Sequence, residues 1–147
     1  MVVAAACQTP SQRDSCQSLA STEAEPYVGP LAAPPYRYDD ANAVPSPVGD
    51  ACMYRGHDGR SVVVTVSPTR STVANLPSGP PGPWDRSWWS PVGTLVVWKH
   101  DAQIMVDVSG TRAGQPGAID LATKIIGRLD HPLDYDGTHA AALAPKP

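Results

Sequence analysis

The chain has 147 residues, an apolar fraction of 41% and a net charge of −3, which suits one domain with a single hydrophobic core. The acidic balance argues against nucleic acid as a partner, because phosphate binding needs a basic face. With 17 Pro, 12 Gly and no Phe, the composition predicts many turns and extended segments, and a core whose aromatic volume comes from Trp and Tyr.

The first distinctive feature is a run of small residues that ends at Cys7, as at the end of a bacterial lipoprotein signal. We interpret residues 1–14 as an N-terminal tether or signal remnant that carries a lipid on Cys7. Only six residues precede Cys7. Either part of the signal lies upstream of this numbering, or Met1 is a late start and Cys7 is uncleaved. The interpretation places the protein on the periplasmic or extracellular face of a bacterial membrane.

The odd number of cysteines, three in all, needs an explanation in a protein outside the cytoplasm. The most economical explanation gives Cys7 to the acyl group and pairs Cys16 with Cys52 in a disulfide bond, which an oxidising compartment preserves. A metal site is the weaker interpretation, because the Cys and His residues show no paired spacing. A redox site is weaker still, because the sequence has no Cys-x-x-Cys.

A short helix and a long loop are predicted after the tether. Residues 15–29 predict the helix, which Pro26 limits to one or two turns because proline lacks a backbone donor. Thr22 and Glu25 offer a capping box for its start. Residues 30–49 contain five prolines and predict an extended loop.

Two β-hairpins are predicted in the middle of the chain. Residues 52–55 and 61–66 flank a turn that contains Asp-Gly, which is a strong hairpin signal. Residues 94–99 and 103–108 flank a second turn. Alternation in the last strand puts three apolar residues on one face and the remaining two on the other: Ile104, Val106 and Val108 against Met105 and Asp107.

An amphipathic helix is predicted over residues 117–129, where apolar residues recur at the spacing of one helix face. The predicted architecture is α+β: a four-stranded or slightly larger antiparallel sheet of two hairpins, covered by this C-terminal helix. Residues 15–129 form the single domain, and residues 130–147 form an extended C-terminal tail.

Several short motifs follow one another along the chain: Asp14-x-Cys16-x-x-Leu19, Glu23, Gly29-Pro30, Gly49-Asp50-x-Cys52-x-Tyr54 and Val106-Asp107-Val108. Motifs in this order resemble the DUF3558 family of small bacterial envelope lipoprotein domains. The resemblance covers roughly residues 14–129 and implies a Cys16–Cys52 disulfide and an antiparallel sheet backed by helices, as in the Mog1/PsbP-like architecture. It brings no catalytic residues.

The sequence contains few candidate catalytic or metal-binding residues. His57 and His100 stand at the two predicted hairpin tips and are interpreted as exposed turn residues rather than as acid–base groups. Three carboxylates near the C-terminus could bind calcium with backbone carbonyls, although a solvated acidic tail is the simpler interpretation; they are Asp130, Asp134 and Asp136. We expect no cofactor, no metal and no enzymatic activity.

Aromatic density is highest in a proline-stiffened segment with three Trp in six residues. Trp84, Trp88 and Trp89, together with Tyr135 in the tail, are predicted to dock on a partner. The alternative is that Trp88 and Trp89 fill the open end of a sheet that lacks Phe.

These features favour a non-enzymatic accessory subunit that docks on a larger membrane protein complex. A respiratory or photosynthetic complex is one speculative host, by analogy of fold alone. The alternative function is a ligand-binding envelope lipoprotein with a pocket between sheet and helix, lined by Val97, Met105 and Ile125. A hydrolase with an unrecognised site is the third hypothesis.

Overall fold

The computed structural model describes residues 14–69 and 77–133, which form a seven-stranded antiparallel sheet and two α-helices. The predicted α+β class is confirmed, whereas the sheet is larger than the four predicted strands. The helices are α1 (Ser21–Val28) and α2 (Gly114–Ile126), and the strands are β1 (Tyr36–Asp39), β2 (Val44–Pro45), β3 (Ala51–Arg55), β4 (Ser61–Pro68), β5 (Arg86–Trp89), β6 (Thr94–Lys99) and β7 (Ala102–Asp107).

The strand order is β2-β1-β3-β4-β7-β6-β5, and every neighbouring pair is antiparallel. The two predicted hairpins are therefore confirmed as β3–β4 and β6–β7. They join through β4 and β7, which pair over six residues from Val63↔Asp107 to Pro68↔Ala102. This long central pair sets the register of the two hairpins relative to each other.

Strands β1, β2 and β5 were not predicted. The segment 30–49 was predicted to be a loop, yet it contains β1 and the two-residue β2. Proline cannot donate to a ladder, so it is tolerated at strand edges and ends. Pro45 lies in β2, at one edge of the sheet. The prolines of segment 30–49 are therefore compatible with a short strand at the edge of the sheet, where β2 lies, and do not exclude strands from the segment.

The prediction of one helix over residues 15–29 is wrong about where the helix begins. A 3-10 turn, Ser15–Gln17, comes first, and α1 follows after a break. The capping interaction also differs from the predicted Thr22–Glu25 pair, because the Glu23 carboxylate accepts a hydrogen bond from the Ala20 amide at 2.8 Å.

Helix α2 begins and ends three residues earlier than the predicted range of 117–129. Pro116 is accommodated because the first turn of a helix needs no backbone donor. The C-cap is Gly127, and Leu129 beyond it still packs against the core. The predicted apolar face is confirmed, since Ala118, Leu121 and Ile125 are buried.

Both helices cover the same face of the sheet. Helix α1 packs on β3 and β4, and α2 packs on β6 and β7. The core between them is fully buried and includes Val64, Ile104 and Leu121. Tyr54 lies inside it and donates its hydroxyl proton to the Leu19 carbonyl at 2.7 Å, so its one polar atom is satisfied.

The 3-10 turn is held against the sheet at Cys16. The Cα atoms of Cys16 and Cys52 lie 5.0 Å apart and their sulfur atoms 2.04 Å apart, so that a disulfide bond is possible between them. Beside it, the Ser15 hydroxyl donates to the Asp50 carbonyl at 2.7 Å and accepts from the Val66 amide at 3.0 Å.

The segment predicted as a C-terminal tail starts by returning to this turn. The Leu133 amide donates to the Gln17 carbonyl at 2.9 Å, and the Gln17 side chain donates back to the Leu133 carbonyl at 3.0 Å. Cys7, Tyr135 and the rest of the tail lie outside the described residues. Within the described ranges, no helix has the length and apolarity needed to cross a bilayer.

Candidate functional site: the open face of the sheet and its aromatic edge

The second face of the sheet, here called the open face, lies opposite the helices. Successive residues of a strand point to opposite faces, so the neighbours of the core residues line it. Met105 lies between Ile104 and Val106 in β7, and Val63 lies between Val62 and Val64 in β4. Among the described residues, both helices pack on the other side.

Cross-strand register aligns six residues of the open face in a single line. The pairs Tyr38↔Ala51, Ala51↔Thr65, Thr65↔Met105, Met105↔Val96 and Val96↔Trp88 connect six strands from β1 to β5. Five spacings of about 4.8 Å make this line about 24 Å long. We call these six residues the apolar row; Thr65 carries a hydroxyl, and the aromatic side chains of Tyr38 and Trp88 carry one polar group each.

Residues beside the apolar row extend its apolar character. Met53 and Trp98 retain only 6% and 7% of their surface exposed, although neither of the two described helices packs on this face. Val63 and Met105 are partly exposed. The solvated face of an antiparallel sheet is usually polar, and contiguous exposed apolar surface marks interaction sites. Ala51 and Val96 within the row are buried as well, so the apolar surface exposed on this face comes from the partly exposed Tyr38, Val63, Trp88 and Met105. Apolar side chains at these positions are typical of a docking surface.

Hydrogen bonds and ring contacts order the side chains of this face. The Trp98 indole donates to Gln103 Oε1 at 3.0 Å, which satisfies its only polar atom. At the β1 end, the rings of Tyr36 and Tyr38 meet edge to face with centroids 6.5 Å apart. These contacts limit the conformations of the side chains, so less entropy is lost when a partner binds.

The three Trp residues predicted to dock on a partner lie in different places. Trp84 and Trp89 are partly buried and pack against the core, whereas Trp88 belongs to the apolar row on the open face. Tyr135 lies outside the described residues. Trp88 and Trp89 together line an open groove of about 600 Å³ around the β5 edge, with Pro77, Ser78, Gly79, Pro80, Pro91 and Gln115.

Carboxylates border the apolar row. Asp107 is the next open-face residue after Met105 along β7. Burial and the nearby negative charges of Asp107, Asp50 and Asp39 raise the pKa of Asp40 above its usual range. The carboxylates of Asp39, Asp40, Asp50 and Asp107 are thus close enough to interact, which favours a partner with a cationic group beside them.

The structure adds little support for the other predicted sites. His57 and His100 occupy turns and are exposed, as predicted. Asp130 is exposed, while Asp134 and Asp136 lie outside the described residues. Within residues 14–69 and 77–133, no group of three or more His, Cys, Asp or Glu residues could hold a metal ion.

The pocket predicted for a ligand-binding lipoprotein is wrong in its lining. Val97 and Ile125 are fully buried in the core between sheet and helices. Met105 pairs with Val96 on the opposite face. The three residues therefore cannot line one cavity.

The chain matches no family model, no curated protein and no solved structure. The resemblance to the DUF3558 family accordingly stays a prediction. The alternation of Val63, Thr65 and Met105 along their strands was a signal for an outward face, but the sequence alone did not show that these residues align with Trp88.

Proposed function

We propose that the protein is a non-enzymatic accessory subunit of the bacterial cell envelope that docks on a larger membrane protein complex through its open face. The observation that carries the proposal is the apolar row, which crosses six strands on the face that the helices leave uncovered. A sheet face of this width and composition fits a protein surface better than it fits a small molecule, which would require a concave pocket.

The proposed compartment rests on the cysteines. Cys16 and Cys52 are positioned to form a disulfide, and such bonds persist outside the reducing cytoplasm. A lipid on Cys7 would keep the domain close to the membrane and raise its effective concentration near a membrane complex. Docking would then need only modest intrinsic affinity.

Co-purification from the native host tests the docking. Tagged full-length protein is extracted in mild detergent, and its partners are identified by mass spectrometry, together with the peptide that contains Cys7. Met105→Glu puts a charge in the middle of the apolar row, and Trp88→Ser removes its aromatic end. We expect the fraction of partner lost during washing to be at least ten times larger for each variant than for the wild type.

The matched control is Val48→Ser. Val48 is apolar and 84% exposed, but it lies in the turn after β2, at the other edge of the sheet. The Val48→Ser variant should therefore retain the partner. Recovery of the wild type as a lone protein, or equal partner retention by all three variants, would contradict the proposal.

A further inference from the structure

Three connecting segments that contact one another form one end of the sheet. They are the β3–β4 turn (56–60), the β5–β6 turn (90–93) and the β7–α2 loop (108–113), here together called the turn end. The Val108 amide donates to the Gly93 carbonyl at 3.0 Å. The amide of Ser61, next to the β3–β4 turn, donates to the Gly110 carbonyl at 3.3 Å. These bonds place the three segments side by side.

The β5–β6 turn carries exposed apolar side chains. Val92 is 74% exposed, and Pro91 beside it is exposed as well. The preceding Trp88 and Trp89 are partly exposed and line the open groove of about 600 Å³ together with Pro91. The exposed valine therefore continues an aromatic surface and does not stand alone. Tryptophan beside exposed apolar residues is typical of protein surfaces that enter the interfacial layer of a membrane.

Arginine side chains lie beside this apolar surface. Arg60 and Arg112 are exposed and line a second open groove of about 580 Å³ at the turn end. Arg60 pairs with Asp58, its Nε lying 2.7 Å from the carboxylate. Within residues 14–69 and 77–133, Arg112 has no ion-pair partner. Its charge is therefore available to an anion outside the molecule.

The positive charge and the aromatic groove are neighbours in the β7–α2 region. Arg112 lies three residues before Gln115, which lines the aromatic groove. The first turn of α2 contains no acidic residue. Asp107, the carboxylate nearest in sequence, lies on the open face and accepts hydrogen bonds from the Ser109 amide and hydroxyl at 2.9 and 2.6 Å. Arg112 therefore dominates the charge next to the groove, which favours an anionic partner.

We infer that the turn end binds the surface of a bilayer that contains anionic phospholipids, with Val92 in the interfacial layer and Arg112 on the lipid phosphates. Shallow insertion of apolar side chains and attraction of cations to anionic headgroups act together in such binding. Two open grooves side by side suit an extended amphiphilic surface better than a small soluble anion, which requires a concave pocket. The inference needs no protein partner, so it does not depend on docking through the open face.

The test uses the full chain with Cys7→Ser, so that no acyl group contributes to binding. Co-sedimentation measures its partition onto vesicles of equimolar phosphatidylglycerol and phosphatidylcholine, and onto vesicles of phosphatidylcholine alone. We expect at least tenfold stronger binding to the mixed vesicles. Salt should weaken the binding, because it screens exposed charges. Tryptophan emission should shift to shorter wavelength when the mixed vesicles are added.

The apolar contribution is tested by Val92→Glu, which should weaken binding to the mixed vesicles at least tenfold. Its matched control is Val48→Glu, which places the same charge at a valine that is 84% exposed, beyond β2 at the other edge of the sheet. The control should bind like the parent chain. Val92→Ser, which adds no charge, is the second variant and should weaken binding less than Val92→Glu does. Urea unfolding checks that each variant is folded.

The contribution of charge is tested by Arg112→Gln, which should weaken binding about fivefold, as expected for the loss of one cation near an anionic membrane. Lys99→Gln is the control. Lys99 pairs with Ala102 at the end of β6 opposite the turn end, so its loss should leave binding unchanged.

Four outcomes would overturn the inference. They are no binding of the parent chain to the mixed vesicles, equal binding to both kinds of vesicle, equal binding by Val92→Glu and Val48→Glu, and full displacement of the vesicles by soluble glycerophosphate. The last outcome would assign Arg112 to a free phosphate instead of a membrane. None of the four bears on partner retention by the open-face variants, so the two proposals fail separately.

Discussion

The two faces of the sheet are built from the same strands but have different surroundings. On the covered face, the side chains of Val64, Ile104 and Leu95 are fully buried under the two helices. On the open face, their neighbours Val63, Thr65 and Met105 are partly exposed. Both faces are rich in apolar residues, although folding requires only one of them to be buried.

This difference separates residues that stabilise the fold from residues available for a partner. Apolar side chains on the covered face are explained by the core that they form. The partly exposed residues of the apolar row, such as Met105 and Trp88, are not explained in this way, since polar residues would serve a solvated face equally well. Predictions that compare neighbouring residues of one strand therefore test the assignment most sharply.

The largest expected effect comes from the core. Ile104→Ala should lower the free energy of unfolding by about 2–5 kcal/mol, because it removes buried methyl groups and leaves a cavity. Met105→Ala, one residue away on the open face, should cost less than about 1.5 kcal/mol. Denaturant unfolding of the two variants measures the difference. Equal losses would mean that the open face is buried in the isolated protein as well.

The covered side also contains the Cys16–Cys52 pair. Replacing both residues with Ser should lower the free energy of unfolding by about 2–4 kcal/mol, since a bond between positions 36 residues apart restricts the unfolded chain. Reduction of the wild type should produce the same loss and should leave the double variant unchanged. Two free thiols at these positions in the oxidised, folded protein would contradict the pairing.

A smaller, pH-dependent effect is expected where the two helices meet. The Arg128 guanidinium forms two hydrogen bonds to the Glu23 carboxylate, one of them 2.6 Å long. Burial opposes ionisation of Glu23, but these bonds and the Ala20 amide hold its pKa below the ordinary value of 4.5. Because the folded pKa is the lower one, the stabilisation is present above pH 4.5 and is lost as pH falls through the folded pKa.

Glu23→Gln should therefore cost about 1–2 kcal/mol at neutral pH and should flatten the acid limb of the stability profile. Lys124→Gln is the control. Lys124 pairs with Asp120 within one exposed helix face, so its loss should cost at most about 0.5 kcal/mol. Urea unfolding between pH 3 and pH 7 measures both variants. An unchanged acid limb in Glu23→Gln would contradict a stabilising role for the pair.

The smallest stability effect should arise on the open face. Val63→Thr keeps a β-branched side chain at a partly exposed strand position, so we expect a change within about 0.5 kcal/mol. The same substitution should weaken partner recovery several-fold, because Val63 lies beside the apolar row. A variant that loses stability and keeps its partner would reverse the roles assigned to the two faces.

Local periodicity was sufficient to predict the two central hairpins and the apolar face of α2. The alternation around Ile104 and the helical spacing through Leu121 and Ile125 each require only one segment to be considered. The hairpin turns were predictable because short turn motifs specify their own geometry. The α+β class followed from these local patterns.

The edge strands and the open face depend on relations between distant segments. Strand register aligns Tyr38 with Trp88 across four intervening strands. The spacing of residues within a single segment cannot indicate this alignment. Strand β5 escaped prediction for a similar reason, because its strand character depends on pairing with β6. Trp84 and Trp89 were grouped with Trp88 because sequence proximity does not reveal which face a side chain occupies.

Site-specific photo-crosslinking in living cells would test the assignment of the open face most directly. A photoreactive amino acid is placed in turn at Met105, Trp88 and Val48 of the full chain. We expect positions 105 and 88 to form a covalent product with the same membrane-embedded protein, and position 48 to form none. Equal crosslinking from all three positions, or no product from 105 and 88, would contradict docking through the open face.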